Sequence, residues 1–432
     1  MLRPVMPHDA SIIPARRQYV AQHPTLWITL IGGAVFLGVC LVGILVARRP
    51  LEPVFAAGAL ASFGCAAWAF GELSIVYDRF DVLLWAMAFG MGAVAGGYAL
   101  ASTLLASIAS HPRGLTTPSN IPPDPGGEAY ILLGDVDPNV YDERWTAADL
   151  EKLSEEGLLH VSIAILPFLF FAQKARYRAV GGSSPAARQL ESLAERVGDA
   201  VRESGVDRVE TAWLGGKRDL AVRVLRLAEK GYRTISIAEV MIAGSLELDA
   251  AKRRVDALRL DELGVEVHYV DALWGAERIA SLVAARVMSV VDEPATTGVV
   301  LVGLGQPEER ARTCRSFDEH ETAFLNRVRL LLIGYGIAED NVRLAWADWH
   351  GPDVTSTVRH VAALGCNRLV VVPACFPLDT VETMLELPLS VRQARIGDGV
   401  SIISLTAWHD DPSLVDELAA RVVGSGAAEA TV

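Results

Sequence analysis

Cysteine is scarce in this sequence, with five in 432 residues. Cys40 and Cys65 fall inside long apolar runs, and Cys314, Cys366 and Cys375 show no paired spacing, so neither a disulfide framework nor a closed thiolate metal site is expected. Net positive charge is lacking too. With 39 Lys and Arg against 52 Asp and Glu the formal charge is −13, which argues against nucleic acid as a partner. Polar residues are also in short supply. A chain that is 51% hydrophobic with a mean hydropathy of +0.30 is too apolar for an ordinary soluble protein of this length, so part of it is expected in a membrane.

The apolar excess lies at the N-terminus. "LWITLIGGAVFLGVCLVGILVA" (26–47) runs about 22 residues without a charge, enough to cross a bilayer as a helix. Residues 54–76, broken only by Glu72, and 82–109 are two further candidates, and Gly90, Gly92, Gly96 and Gly97 suit close helix packing in lipid. A cleaved signal peptide competes for the first run, but the run is long for one and two more follow. About three transmembrane helices are therefore expected within residues 1–110. Arg3, Arg16 and Arg17 before the first run balance Arg48 and Arg49 after it, so charge alone leaves the orientation open.

A linker rich in Pro, Gly and Ser occupies residues 111–127. Beyond it strands and amphipathic helices alternate. Strands are expected at 130–133, 209–213, 234–238, 265–270, 299–304, 342–346, 369–372 and 401–405, an α/β pattern of parallel sheets. "VETAWLGGKRDLAVRVLRLAEKGYRTISIAEV" and "VRLAWADWHGPDVTSTVRHVAALGCNRLVVVPAC" share the order strand, Trp, Gly-containing turn, helix, Gly, strand. Two similar halves follow, 128–293 and 294–432, with a ligand cleft expected at the carboxyl ends of the strands. In "VVVPACFPLDTVETMLEL" the second half turns from a buried strand into an acidic stretch. Asp379, Glu382 and Glu386 stand at i, i+3 and i+7, one face of a helix. Clustered carboxylates can serve a passing divalent cation and accept protons, and crowding raises the pKa of at least one.

These residues carry a resemblance. "FPLDTVETMLEL" resembles the ferrochelatase signature F-x-x-D-x-x-E-T-L-x-E-L/I, "WHGPDVTSTVRHVAALG" (349–365) is similar to that family's W-L-x-P-x-T segment, and "YRAVGGSSP" (177–185) to its Y-x-x-I-G-G-x-S-P motif. All three stand in the family's order. The resemblance covers essentially everything after residue 128. It implies two Rossmann-like, chelatase-type domains flanking a porphyrin cleft, here preceded by the transmembrane region. It also implies insertion of a divalent metal, Fe2+ first among candidates, into a porphyrin in haem biosynthesis. Glu382 would take part in proton removal at the macrocycle, Glu386 would extend an acidic metal track, and Asp379 matches the family's Asp. Tyr177, Trp349 and Phe376 would stack on the macrocycle, and Ser184 would hold a propionate. The apolar run "AILPFLFFA" (164–172), with Phe168 and Phe170, would meet lipid or the ligand's apolar edge.

The pattern also fails in places. The family's essential His, in S-x-H-G/S-x-P, falls on Leu304 or Gly305 of "VVLVGLGQPEER"; an expected arginine is replaced by apolar residues such as Leu169; and Thr380 stands where a His is frequent. His350 is the candidate substitute. No cofactor is expected to be tightly bound, since Fe2+ and porphyrin are substrates, and "AARVVGSGAAEATV" carries no cysteines for an iron–sulfur cluster. The competing functions are a catalytic chelatase, a degenerate homologue that binds porphyrin or haem without inserting metal, and a membrane-anchored solute-binding module. The expected partners are the bilayer and a porphyrin or haem, with membrane haem-handling proteins or a second copy of the chain as further ones. The soluble part is expected to be cytoplasmic.

Overall fold

In the computed structural model, residues 23–429 are described except 78, 108–114, 116–120, 124–126, 205, 216 and 217. Arg3, Arg16, Arg17 and most of the linker therefore lie outside the described residues. These group into two compact units, one drawn from residues 1–111 and 142–175, the other from 112–141 and 176–432.

The first unit contains three long apolar helices, α1 (Pro24–Val46), α2 (Glu52–Val76) and α3 (Phe80–Ala106), each long and apolar enough to cross a membrane. Large apolar side chains such as Phe36, Leu60, Phe63, Trp68, Phe89 and Met91 point outward, as suits a lipid solvent. Helix α1 meets α3 backbone to backbone. A methyl group at Gly97 would run into Val35 O and one at Gly38 into Val94 O, so these two glycines set the approach. The other expected packing glycines do not take part: Gly92 and Gly96 face open space, and Gly90 has only Leu30 Cδ1 at 3.9 Å.

Two helices of the following chain, α4 (Glu143–Glu155) and α5 (Leu166–Ala179, up to Ala175 in this unit), are fastened to the α1–α2 turn. Lys174 Nζ donates to Ile44 O (2.6 Å) and Ala47 O (3.2 Å) at the carboxyl end of α1, and lies 3.2 Å from Glu52 Oε1 at the start of α2. A cation there satisfies orphan carbonyls and opposes the helix dipole, which is how a lysine can be buried. Arg48 binds Glu143 (2.7 Å) and Asp142 (2.9 Å), while Asp142 also caps α4 through the amides of Arg144 and Trp145. Tyr98 Oη on α3 donates to Ala164 O at 2.8 Å.

In the second unit β1 (Glu128–Gly134), β2 (Val206–Trp213), β3 (Thr234–Glu239) and β4 (Glu266–Val270) form one parallel sheet in the order β2-β1-β3-β4. The strands β5 (Thr297–Gly303), β6 (Val342–Trp346), β7 (Arg368–Val372) and β8 (Ser401–Ser404) form a second in the equivalent order β6-β5-β7-β8. The eight expected strands are all present, shifted by at most a few residues at their ends. Helices α6 (Ala186–Val201), α7 (Leu220–Glu229), α8 (Leu246–Asp256) and α9 (Glu277–Met288) serve the first sheet. The second has α10 (Glu308–Ala311), α11 (Arg315–Gly334), α12 (Val354–Ala363), α13 (Leu387–Gln393) and α14 (Pro412–Glu429).

The sequence repeat has a structural counterpart. Trp213 bridges to Asp219, which caps α7 through the Ala221 amide, and Trp346 bridges to Asp353, which caps α12 through the Ser356 amide. One continuous apolar core, including Leu132, Leu190, Ile279, Leu301, Phe324 and Leu418, runs through both halves. Polar ties reinforce it. Tyr130 Oη donates to Val422 O at 2.8 Å, and Arg421 to Asp271 O at 2.6 Å, so the last helix reaches back to the first sheet.

The α1–α3 contact is directly testable. Gly97→Val is expected to lower the thermal stability of the detergent-solubilised protein by about 1–3 kcal/mol, the usual range for overpacking. Gly96→Val should stay within about 0.5 kcal/mol of wild type; equal losses at the two positions would mean that the helices meet along another face.

Candidate functional site

The carboxyl ends of parallel strands present loops whose polar groups the sheet no longer satisfies, and here three such loops converge. After β7 the chain is buried from Leu369 to Leu378 and emerges at Asp379. Asp379 precedes the helical segment. The expected face carrying Asp379, Glu382 and Glu386 is therefore corrected: only the two glutamates are helical, within a π turn from Glu382 to Glu386. Pro388, just beyond, has no amide to return to Met384 O, in keeping with a turn that opens there. Thr380 and Thr383 bond each other reciprocally (Thr380 N to Thr383 Oγ1, 3.0 Å) and close the turn's entry.

Glu382 Oε1 is sealed from solvent and has no hydrogen-bond partner. Burial pushes this carboxyl up to about 8, with repulsion from Asp348 and Glu386 adding to it, the Arg176 guanidinium opposing it, and Asp137 contributing a smaller repulsion. Glu386 is ion-paired with Arg176. Asp137, from the loop after β1, is half-buried. Its Oδ2 accepts the Val381 amide at 2.6 Å and faces Ser184 Oγ at 3.4 Å, so the first half holds the residue next to Glu382. Burial raises Asp137, against the Val381 amide, Arg176 and Ser184. Asp348, after β6, is likewise raised by burial, with Arg176 and the Trp349 amide opposing. One guanidinium thus bears on four carboxylates.

The other expected site residues are placed as follows. Asp379 accepts Gln189 Nε2 (3.0 Å) and the Ala407 amide (2.9 Å), and its own amide donates to Gln189 Oε1 (2.7 Å), so it ties the two halves together. His350 Nε2 lies 3.1 Å from Asp318 Oδ1, with its ring edge-on to Trp346. Tyr177 is buried, its hydroxyl donating to Pro138 O at 2.9 Å; Ser184 is buried against Asp137; and Phe376 belongs to the core under α12 and α13. Among the four residues expected to hold a macrocycle, Trp349 alone is exposed, at 56%, and its φ of +61° is a strained value for a side chain of its size. Phe168 and Phe171 are exposed on α5 whereas Phe170 is fully buried, so the outward face of that run is not the Phe168/Phe170 pair.

The 304–305 loop, where the resemblance would place a histidine, is closed by backbone. Gly305 has φ +80°, and a Cβ there would collide with Asp348 O. The amides of Leu304 and Gly305 are both taken by the buried Glu321 carboxylate at 3.0 Å, which burial raises and these amides lower. Asp137, Asp348 and Arg176 as a site residue were missed from sequence. The available signal was positional: "GDVDP" and "WADWH" directly follow strands at the ligand-binding edge of a parallel sheet.

Because its folded-state pKa is raised, Glu382 favours folding when protonated. Its contribution is complete below the ordinary value of 4.5 and is lost as pH rises through about 8. Glu382→Gln should remove that loss, making the protein more stable than wild type at pH 8 by up to about 4 kcal/mol and equal to it near pH 4.5. Denaturant melts across this range check the prediction; parallel pH curves for the two proteins would show an ordinary, solvated carboxylate.

No curated protein matches the sequence. Among solved structures, SirB from Bacillus subtilis with Fe3+ is similar at a TM-score of 0.47 and 14% identity, covering 71% of this chain and 98% of that one. CbiX, the terminal enzyme for biosynthesis of siroheme in denitrifying bacteria, is similar at a TM-score of 0.41 and 12% identity, covering 69% and 99%. The ferrochelatase family model matches residues 158–425, more than half of the chain and all of the loops after β6 and β7. With its two matching parallel sheets and its acidic turn after β7, the chain belongs to the ferrochelatase family.

Proposed function

We propose that this protein is a membrane-tethered chelatase that inserts a divalent metal, Fe2+ first among candidates, into a porphyrin. The observation that carries this reading is Glu382, a half-buried residue whose carboxyl oxygen Oε1 is sealed from solvent and unpartnered. An unsatisfied buried carboxyl oxygen is costly, so its expected use is at the moment a ligand arrives. Insertion exchanges two pyrrole N–H protons for one cation. A carboxyl group poised near 8 is a strong acceptor once ionised, and an approaching dication favours the ionised form. Glu386, held at the turn's far end by Arg176, supplies a second oxygen ligand for the incoming metal, and the exposed Trp349 ring supplies a face for the macrocycle.

One observation favours a second reading, binding of porphyrin or haem without insertion: Gly305 and Leu304 leave no place for the family histidine. Full-length protein in detergent, mixed anaerobically with a porphyrin and either Fe2+ or Zn2+, separates the two by absorbance. Metalloporphyrin formation is expected, and Glu382→Gln should slow it by at least about 100-fold, the low end for losing a positioned base. A spectral shift without turnover, unchanged in the variant, would replace the enzyme with the binder.

The three apolar helices are read as spans, and the bilayer and a porphyrin or haem as the partners. A membrane haem-handling protein or a second copy of the chain is a further partner in this reading, and nucleic acid is not. We read the soluble part as cytoplasmic; Arg48 and Arg49 in the α1–α2 turn, with Lys174 fastened to the same turn, support this by concentrating positive charge there. Proteolysis of inverted and right-side-out vesicles is expected to cleave the soluble part in inverted vesicles alone; cleavage from the outside would reverse the orientation.

A further inference from the structure

The loop after β6 carries an uncommon turn. The His350 amide donates to Asp348 O at 2.6 Å across Trp349, whose φ is +61°. A three-residue turn closed over a positive φ is rare and strained, and a bulky residue at its centre makes it more so. Both ends of it are tied down. On the entry side the amides of Ala347 and Asp348 donate to Gly303 O (2.9 Å) and Leu304 O (3.1 Å), while the Asp348 carbonyl rests against Gly305. The 304–305 loop is itself gripped by the buried Glu321 carboxylate of α11. On the exit side the His350 ring meets Trp346 edge-on and lies against Gly305, where an added methyl would stand 3.4 Å from Cδ2. Its Nε2 lies 3.1 Å from Oδ1 of Asp318, which stands one turn before Glu321 on α11. A carboxylate can only accept, so Nε2 carries the proton, and the first turn of a helix is where negative charge is favoured.

What the two anchors hold in place is an exposed indole. Strain of this kind persists only where the surroundings over-determine it, and here one helix supplies both restraints. A loop free to relax would return Trp349 to negative φ, and its ring would leave the position it now holds. Resting on the chelatase reading above, we infer that Asp318 is a positioning residue for the tetrapyrrole: through His350 it keeps the turn closed, so that the Trp349 ring stands ready to stack on the flat ligand. Holding the ring in place before the ligand arrives spares the entropy of ordering it on binding. His350 is thereby a clamp, and the indole is the surface that the ligand touches.

The test uses full-length protein in detergent and metal-free deuteroporphyrin, with affinity read from the porphyrin's fluorescence. Asp318→Ala should weaken binding at least about fivefold, and Trp349→Ala at least about tenfold. Asp318→Asn, whose amide oxygen still accepts from Nε2, should stay within about twofold of wild type. In the Trp349→Ala background Asp318→Ala should add less than about twofold, because its effect passes through the indole. A purely structural loss would weaken both backgrounds equally and would not be rescued by Asn, and either result overturns the inference. So does a loss in Asp318→Ala confined to kcat for Zn2+ insertion, with affinity within about twofold of wild type, which would make the His350–Asp318 pair a proton-transfer dyad. If Asp318→Ala does not fold, His350→Ala breaks the same bond from the other side and takes its place in the cycle. Affinity is read without metal, so wild-type protein that binds the porphyrin and inserts no Zn2+ would remove the chelatase reading alone. Wild-type protein that binds no porphyrin would remove both.

Discussion

Burial of a carboxyl oxygen among like charges is the constraint on which the rest of the site depends. Glu382 cannot ionise cheaply because burial disfavours its charge first, and Asp348, Glu386 and Asp137 then repel it while the Arg176 guanidinium opposes them. An isolated chain would relieve such strain by moving the turn. Here the turn cannot move, because Asp137 grips the Val381 amide from the first half, Gln189 and Asp379 interlock through two hydrogen bonds, and the Ala407 amide holds Asp379 from behind. Each bond is worth only about 1 kcal/mol net, more where a charge takes part. Together they fix a geometry that the carboxylates alone would abandon, and a large part of the polar connection between the two halves serves one π turn.

The unit of three long apolar helices solves a related problem with the opposite charge. Three apolar helices leave orphan carbonyls at their ends and offer few polar groups to satisfy them. Lys174 meets two of those carbonyls and one carboxylate at once, and Arg48 reaches across to Asp142 and Glu143, so α4 and α5 are fastened to the α1–α2 turn by buried or half-buried polar bonds. Only small residues allow α1 and α3 to approach as they do. Of the glycines that composition draws attention to in α3, geometry uses Gly97 and leaves the others open.

Much of the fold was legible because its signals are local. Alternating apolar runs and amphipathic helices placed the eight strands, and hydropathy placed the three long helices, since both follow from which face of an element must leave water. The repeat around Trp213 and Trp346 was legible for the same reason, and the parallel sheet orders of the two halves agree with it. The face shared by Asp379, Glu382 and Glu386 was misjudged. A uniform period of 3.6 was extended through Asp379, where the chain is still a loop, and across Glu382–Glu386, which opens into a π turn.

What the sequence determined by itself is the class of the fold, the apolar helices, and the identity of Glu382 and Glu386 as an acidic pair after a buried strand. These properties depend on neighbours a few positions away. What only the tertiary structure decided is the company those residues keep. Val381 and Asp137 are 244 positions apart, and no spacing rule connects the loops after β1, β6 and β7; the carboxyl edges of the sheets bring them together. The same edge turned His350 toward Asp318 and set the Asp348 carbonyl against Gly305. Electrostatic coupling falls with distance in space rather than along the chain, which is why a carboxyl group ordinary in sequence becomes exceptional once folded.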